Sequence, residues 1–250
     1  MDRLSSLLRI VVGFVMMAVG VLVFAVVCTV LLPWRGLRIR ACNAFGKTVC
    51  RSMVWLSGCS LSIRGAEHLQ SDRPAIYVSN HTSILDVFLA SWLSPFGTVG
   101  IAKKEVVYYP FFGQLYLLSG HLRIDRRDRG RAIASMQALA DLVGSRGLSI
   151  FLWPEGTRSR DGRLLPFKKG VVHLALQTGL PVVPMVVSGA HRAWEPKTMK
   201  IRPVPIEVEV LPPISTTDWS GEDMEAHLET LTEAFSKVLP ENQKPARAAA

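Results

Sequence analysis

Acidic residues and cysteines are scarce in this 250-residue chain, and its histidines and cysteines do not have the spacing of metal ligands. Only 20 Asp and Glu stand against 29 Lys and Arg, so the net charge is +9. That excess predicts anionic partners, either nucleic acid or lipid headgroups. No metal-ligand pattern includes any of the six histidines or four cysteines, and no Gly-x-Ser-x-Gly elbow is present. We therefore expect no bound metal, and a serine hydrolase is disfavoured.

The N-terminal segment favours lipid as the anionic partner. An uncharged apolar run from Ile10 to Leu32 would form a helix about 35 Å long, which is enough for the hydrocarbon core of a bilayer. A cleavable signal peptide fits less well, because Pro33-Trp34-Arg35 and no small-x-small site follows the run. Arg35, Arg38 and Arg40 then favour a cytoplasmic position for the rest of the chain. We expect a cytoplasmic (inner) membrane protein and no nucleic-acid partner, since aromatic residues are not interleaved with the basic runs.

A second, weaker helical pattern covers Ala41 to Leu61, with Lys47 and Arg51 between its apolar positions. It fits an interfacial helix on the headgroups, the return arm of a hairpin that dips into the bilayer, or an ordinary core helix. The four cysteines, Cys28, Cys42, Cys50 and Cys59, all lie in this first quarter, as expected of reduced thiols used as small hydrophobic side chains.

Beyond Leu61, β-type runs alternate with helical patterns. Strands are predicted at 61–64, 75–78, 99–102, 121–124, 149–153, 182–187 and 206–211, and helices at 84–93, 111–118, 129–143, 171–178 and 222–238. The pattern predicts an α/β fold, with a largely parallel sheet flanked by helices and an N-terminal membrane-anchoring segment. The predicted regions are 1–60 for the membrane segment and interfacial helix, 61–240 for the α/β domain and 241–250 for a disordered tail.

Polar clusters follow four of the predicted strands. They are Asn80-His81, Lys103-Lys104-Glu105, Asp125-Arg126 and Pro154-Glu155-Gly156-Thr157-Arg158-Ser159. Because ligands of parallel sheets gather at the carboxyl ends of the strands, we expect these clusters to form one site.

His81 and Asp86 would lie about 140° apart on a single ideal helix and would not touch. With His81 in the loop and Thr82 or Ser83 as the N-cap, the imidazole can reach the Asp86 carboxylate. Such a contact fixes one tautomer and leaves the other ring nitrogen as a base. Ser83 could be the nucleophile, but a substrate hydroxyl is the preferred candidate, because Ser83 is more simply a cap. The alternative is a loop histidine near a first-turn charge.

A basic cradle is the second predicted feature of the site. The segment after the 149–153 strand places Arg158 beside Glu155 and a glycine, Gly156, that lets a ligand approach the backbone. With Arg126 and Lys168 it forms a candidate cradle for a phosphate monoester. An ordinary basic surface is the alternative, above all for Lys104 and Lys168.

Four ordered segments of the chain resemble the four blocks of the glycerolipid acyltransferase family, in particular the bacterial 1-acylglycerol-3-phosphate O-acyltransferases. They are Asn80-His81-Thr82-Ser83-Ile84-Leu85-Asp86, Gly120-His121-Leu122-Arg123-Ile124-Asp125-Arg126, Pro154-Glu155-Gly156-Thr157-Arg158-Ser159 and Leu180-Pro181-Val182-Val183-Pro184-Met185. The resemblance extends from about Arg64 to Leu211. It departs at Arg123, where the family usually carries an aromatic or aliphatic residue, and this puts the identity of the acceptor in doubt.

The resemblance implies acyl transfer from coenzyme A or acyl carrier protein, as co-substrate and without a resident cofactor, to the sn-2 hydroxyl of 1-acylglycerol-3-phosphate. His81 would be the base and Asp86 would orient it. Arg126 and Arg158 would bind the acceptor phosphate. Candidate contacts to the substrate also include Glu155 and Gly156, which would hold its glycerol, and Thr157, Lys104 and Lys168. Two alternatives stay open: transfer to another lyso-lipid such as lyso-ornithine lipid, and a non-catalytic membrane lipid-binding protein.

Overall fold

The computed structural model describes residues 3–70, 72–109, 112–125, 128–194 and 200–246. The helices of these ranges are α1 (Arg3–Val30), α2 (Arg35–Ser57), α3 (Leu85–Leu93), α4 (Phe112–Ser119), α5 (Arg129–Arg146), α6 (Gly170–Thr178), α7 (Ala190–Ala193) and α8 (Met224–Val238). The strands are β1 (Leu61–Arg64), β2 (Ile76–Ser79), β3 (Thr98–Lys103), β4 (Leu122–Ile124), β5 (Ser149–Leu152), β6 (Val182–Ser188) and β7 (Ile206–Val210). Every strand and helix predicted beyond Leu61 is present, with ends shifted by a few residues.

The seven strands form one sheet in the order β1-β7-β6-β2-β5-β3-β4. Neighbouring strands are parallel except β6 and β7, which pair antiparallel. All residues of β2 and β5 are buried, as expected for central strands covered by helices on both faces. The predicted α/β class is therefore confirmed, and the carboxyl ends of β2, β5, β3 and β4 meet at one edge.

Two hydrophobic cores lie on opposite faces of the sheet. Tyr77 and Phe151 point into the core that contains residues of α1, α2, α3 and α4. Ile76 and Ile150 point into the core formed with α5, α6 and α8. Successive side chains of a strand point to opposite faces, so the sheet separates most of the N-terminal helical residues from α5, α6 and α8, while Ile39 of α2 belongs to the second core.

The N-terminal helices form an outer layer on the first of these faces. α2 is fixed to the domain: the Asn43 side-chain amide donates to Thr98 O at 3.0 Å, and its oxygen accepts the N–H groups of Gly97 and Thr98. α2 thus packs as a core helix on one side, with buried residues that include Ile39 and Val54. α1 packs against α2, and a methyl group at Gly20 would lie only 2.8 Å from the Phe45 ring.

The outward face of α1 remains apolar and uncovered. Within residues 7–30, an 18-residue stretch has a mean hydropathy of 3.0, and only 28% of that stretch is buried. The length and composition of this helix therefore allow it to enter a membrane. Exposed side chains of the face include Leu22, Val23, Val26 and Val30.

The prediction of a disordered tail from Glu241 is wrong for residues 241–246. Gln243 is buried, its side-chain oxygen accepts the Gly189 N–H at 2.9 Å, and its backbone oxygen accepts the Leu164 N–H at 2.8 Å. These contacts come from residues distant in sequence, which a compositional argument does not detect.

Candidate active site

The loop between β2 and α3 holds His81 against Asp86. His81 Nδ1 lies 3.0 Å from Asp86 Oδ2, and the Asp86 side chain is 1% exposed. The predicted contact is therefore present, and Asp86 stands in the first turn of α3. Because a carboxylate oxygen only accepts hydrogen bonds, it selects the tautomer with the proton on Nδ1 and leaves Nε2 with its lone pair.

The same carboxylate oxygen also organises the backbone of the loop. Asp86 Oδ2 accepts the Thr82 N–H at 2.6 Å and the Ser83 N–H at 2.7 Å. The helix begins after Ile84, so neither Thr82 nor Ser83 occupies the N-cap position as expected, although Ser83 Oγ accepts the N–H of the first helical residue, Leu85. Asp86 thus reaches back and binds the two loop amides that precede the helix.

Ser83 is fully buried and is not placed to attack a substrate. Its Oγ donates to Trp194 O at 3.2 Å and accepts the Leu85 N–H at 3.3 Å. A substrate hydroxyl is therefore the better candidate for the nucleophile.

Glu155 supports the other side of the His81 backbone. Its Oε1 accepts the His81 N–H at 2.6 Å and its Oε2 accepts the Leu165 N–H at 3.2 Å. The residue is 1% exposed, and burial raises the pKa of its carboxyl to about 8. Both of its oxygens thus bind the protein's own backbone, and a contact of Glu155 with the glycerol of an acceptor stays a prediction.

The loop after β5 encloses the imidazole. The Trp153 ring stacks on the His81 ring with centroids 4.4 Å apart and planes 19° from parallel. The Ser159 N–H donates to His81 O at 2.8 Å. Trp153 was not among the residues predicted for the site, although an aromatic residue directly before Pro154-Glu155-Gly156 was a possible signal.

Comparisons with known proteins show which family the chain resembles. The family model described as Acyltransferase matches residues 60–188. A 1-acyl-sn-glycerol-3-phosphate acyltransferase from Limnanthes douglasii is 46% identical over 242 residues, covering 97% of this chain and 85% of that protein. One of that name from Salmonella typhimurium is 34% identical, covering 71% and 73%.

The chain belongs to the acyltransferase family.

The 1-acyl-sn-glycerophosphate (LPA) acyltransferase of Thermotoga maritima shares the fold of this acyltransferase. Its solved structure superimposes with a TM-score of 0.72 at 19% identity, covering 94% of this chain and 96% of that one. At this level of identity the match concerns the fold alone.

The basic residues of the acyltransferase lie at several strand ends of the same edge. Lys104 follows β3, and its Nζ lies 2.6 Å from Asp125 Oδ2, which follows β4. Gly156 has φ +71°, and a methyl group there would lie 3.1 Å from Lys168 Nζ. Lys168 thus lies against Gly156, and its role in a phosphate cradle stays a prediction.

Two further predicted residues, Thr157 and Arg158, follow β5. Thr157 is exposed and Arg158 is half-buried on the loop after β5. Arg126, predicted to bind phosphate, lies outside the described residues. Arg123, the departure from the family pattern, is exposed on the edge strand β4.

Asn80 is a supporting residue whose role was not predicted. Its side-chain amide donates to Val187 O at 2.8 Å and its oxygen accepts the Val187 N–H at 2.8 Å. These bonds continue the pairing of β2 with β6 by one residue and fix the start of the His81 loop. Within the described residues, no group of three or more His, Cys, Asp or Glu side chains could hold a metal ion.

Proposed function

We propose that this acyltransferase moves an acyl group from a thioester, either acyl-CoA or acyl carrier protein, to the sn-2 hydroxyl of 1-acylglycerol-3-phosphate, giving phosphatidic acid. The names of the relatives support the acceptor. The observation that carries the mechanism is the 3.0 Å contact between His81 Nδ1 and the buried carboxylate of Asp86.

His81 acts as the general base. Nε2 takes the proton of the acceptor hydroxyl while the hydroxyl oxygen bonds to the thioester carbonyl carbon. The imidazolium formed has its Nδ1–H on Asp86 Oδ2, so the new positive charge lies beside a negative one. The tetrahedral intermediate then breaks its carbon–sulfur bond, and the thiolate takes the proton from Nε2. Because a thioester is already activated, positioning and base catalysis are enough, and we propose no resident cofactor.

The phosphate of the acceptor binds the basic cradle. Lys168 and Arg158 approach it from the loop after β5, and Lys104 approaches it from β3. Lys104 is held by Asp125 before the substrate arrives, so its side chain is already ordered. Arg126 is the fourth cation of the proposed cradle, and Gly156 and Thr157 supply close backbone approach beside it.

The apolar face of α1 enters the membrane. The enzyme then meets its lipid substrate at the surface of the inner membrane, with the α/β domain on the cytoplasmic side. α1 packs on α2, and α2 is fixed to the domain through Asn43 and through Arg35, whose Nε donates to Gly120 O at 2.9 Å. The helix therefore stays beside the domain and keeps the active site near the lipid.

The first test is acyl transfer by the purified full-length protein in detergent. Labelled acyl-CoA or acyl carrier protein is supplied with lysophosphatidic acid or, separately, lyso-ornithine lipid, and His81→Ala is compared with wild type. The matched control is His173→Ala, which removes an exposed histidine of α6.

We expect phosphatidic acid from wild type and His173→Ala, and a loss of about 10³-fold or more in His81→Ala. Product from the ornithine lipid alone would overturn the acceptor. No transfer with either donor and either acceptor would overturn the catalytic proposal in favour of a lipid-binding protein.

A further inference from the structure

A line of cationic and aromatic side chains runs along the groove between α2 and α3. Lys47 Nζ lies 5.1 Å from the centroid of the Phe96 ring, and Arg51 Cζ lies 5.5 Å from that of Trp92. Trp55, one turn further along α2, is 78% exposed. Lys47, Arg51 and Trp55 are spaced by four residues and so share one face of the helix. We name these five residues the cation–aromatic stripe.

The stripe lies on the side of α2 that faces away from α1. Phe45 and Val49 contact α1 at Gly20, whereas Lys47 and Arg51 contact the end of α3 and the residues that follow it. α1 and the stripe are therefore separated by the width of one helix, about 10 Å. Since α1 packs antiparallel to α2, with Gly13 against Met53 and Gly20 against Phe45, the stripe runs parallel to the axis of α1.

In the part of the chain that the structure describes, the cations of the stripe contact aromatic rings and pair with no carboxylate, and Lys47 also donates to Trp92 O. Among the described residues, neither Lys47 nor Arg51 forms an ion pair, whereas Lys169 and Lys237 on the opposite face of the domain pair with Glu225 and Glu233. The sequence from Arg3 to Ala66 contains no Asp or Glu at all. Their positive charge is thus left available for an anion from outside the chain.

The chemistry of the stripe is that of a membrane interface. Tryptophan rings concentrate at the headgroup level, because one edge is polar and the rest is apolar. Lysine and arginine next to the apolar phase bind the phosphates of lipid headgroups, and each adds attraction to an anionic surface. A helix whose apolar face lies in the acyl region places a neighbour about 10 Å away at the depth of the headgroups.

We propose that the cation–aromatic stripe binds the headgroups of anionic phospholipids while α1 lies alongside in the acyl region of the same leaflet. The inference rests on the proposed membrane association of α1. It adds the class of lipid that the protein binds and the orientation of α1 in the membrane. If α1 instead crossed the bilayer with α2 at its side, Lys47 and Arg51 would stand within the hydrocarbon core, where charged side chains are strongly disfavoured.

Vesicle co-sedimentation tests this proposal on the full-length protein. Vesicles of phosphatidylcholine alone are compared with vesicles that also contain phosphatidylglycerol. The variants are Arg51→Gln and the double change Lys47→Gln with Arg51→Gln. The matched control is Lys237→Gln, which removes one exposed charge from α8 on the opposite face. Thermal unfolding checks the fold, because Lys47 also donates to Trp92 O at 3.3 Å.

We expect each stripe charge to contribute about fivefold to binding of the anionic vesicles, so that Arg51→Gln loses about fivefold and the double variant about 25-fold. Binding to the neutral vesicles should stay within about twofold, and Lys237→Gln should match wild type on both. Acyl transfer in detergent, where no anionic surface is present, should remain close to that of wild type in Arg51→Gln.

Two results would overturn the proposal, and they differ in what else they affect. If Arg51→Gln binds anionic vesicles as tightly as wild type does, the stripe is not a headgroup site, and α1 alone explains the association. If wild type binds neither kind of vesicle, the proposed membrane association itself fails.

Discussion

The buried carboxyl of Glu155 gives a quantitative prediction about pH. Burial raises its pKa from 4.5 to about 8. Between these two values the folded protein holds a proton that the unfolded chain has lost. The stability of the fold therefore decreases as the pH rises through this window, by up to about 1.4 kcal/mol per pH unit, and levels off above about 8.

Glu155→Gln removes this titration at nearly constant volume. Glutamine keeps one acceptor oxygen, so either the His81 N–H or the Leu165 N–H loses its partner, at a cost of about 1–3 kcal/mol. Near pH 5.5 we expect the variant to be less stable than wild type by this amount. Between about pH 5.5 and pH 8 the wild type should lose about 3 kcal/mol that the variant does not lose. The difference in the free energy of unfolding between the two proteins should therefore decrease as the pH rises. Near pH 8 the variant should be as stable as wild type or more stable.

The assay is denaturant unfolding followed by tryptophan fluorescence, in one detergent, at several pH values across this range. Glu233→Gln, which changes an exposed carboxyl of α8, is the matched control and should keep a constant difference from wild type. A difference in the free energy of unfolding between Glu155→Gln and wild type that does not change with pH would refute the raised pKa of Glu155. Acyl transfer by Glu155→Gln should decrease about 10- to 100-fold, because the His81 backbone loses a support and the imidazole is displaced.

Three further substitutions separate the roles of the site residues. Asp86→Asn should lower kcat by about 10³- to 10⁴-fold, because its amide group favours the wrong tautomer of His81; activity within tenfold of wild type would exclude the orienting role. Ser83→Ala should destabilise the fold by about 1–3 kcal/mol, since Ser83 Oγ bonds to Trp194 O, yet keep kcat within about threefold. A loss of 10³-fold or more would instead support an acyl-serine intermediate, which mass spectrometry can detect. Lys104→Met should raise the KM for lysophosphatidic acid about tenfold with little change in kcat, and an unchanged KM would remove Lys104 from the phosphate cradle.

The fold class was readable from the sequence because its signals are local. Hydrophobic residues that recur every second residue, or every 3.6 residues, located the strands and helices beyond Leu61. The alternation of strands with helices predicted a parallel sheet with polar clusters at one edge. The contact between His81 and Asp86 was also predictable, since the two residues are only five positions apart in the sequence. The apolar run from Ile10 to Leu32 similarly identified α1 as a helix that could enter a membrane.

Only the tertiary structure decided which groups satisfy one another across long separations. Glu155 binds the His81 N–H from 74 residues away, and no local pattern distinguishes such a brace from a substrate-binding carboxylate. Gln243 and Asn43 were unpredictable for the same reason, because their hydrogen-bond partners lie on distant loops. A sequence determines the period of each element and the chemistry of each side chain. The partner of a buried polar group depends on how the elements pack, and that packing decides whether a carboxylate contacts a substrate or holds the catalytic loop in place.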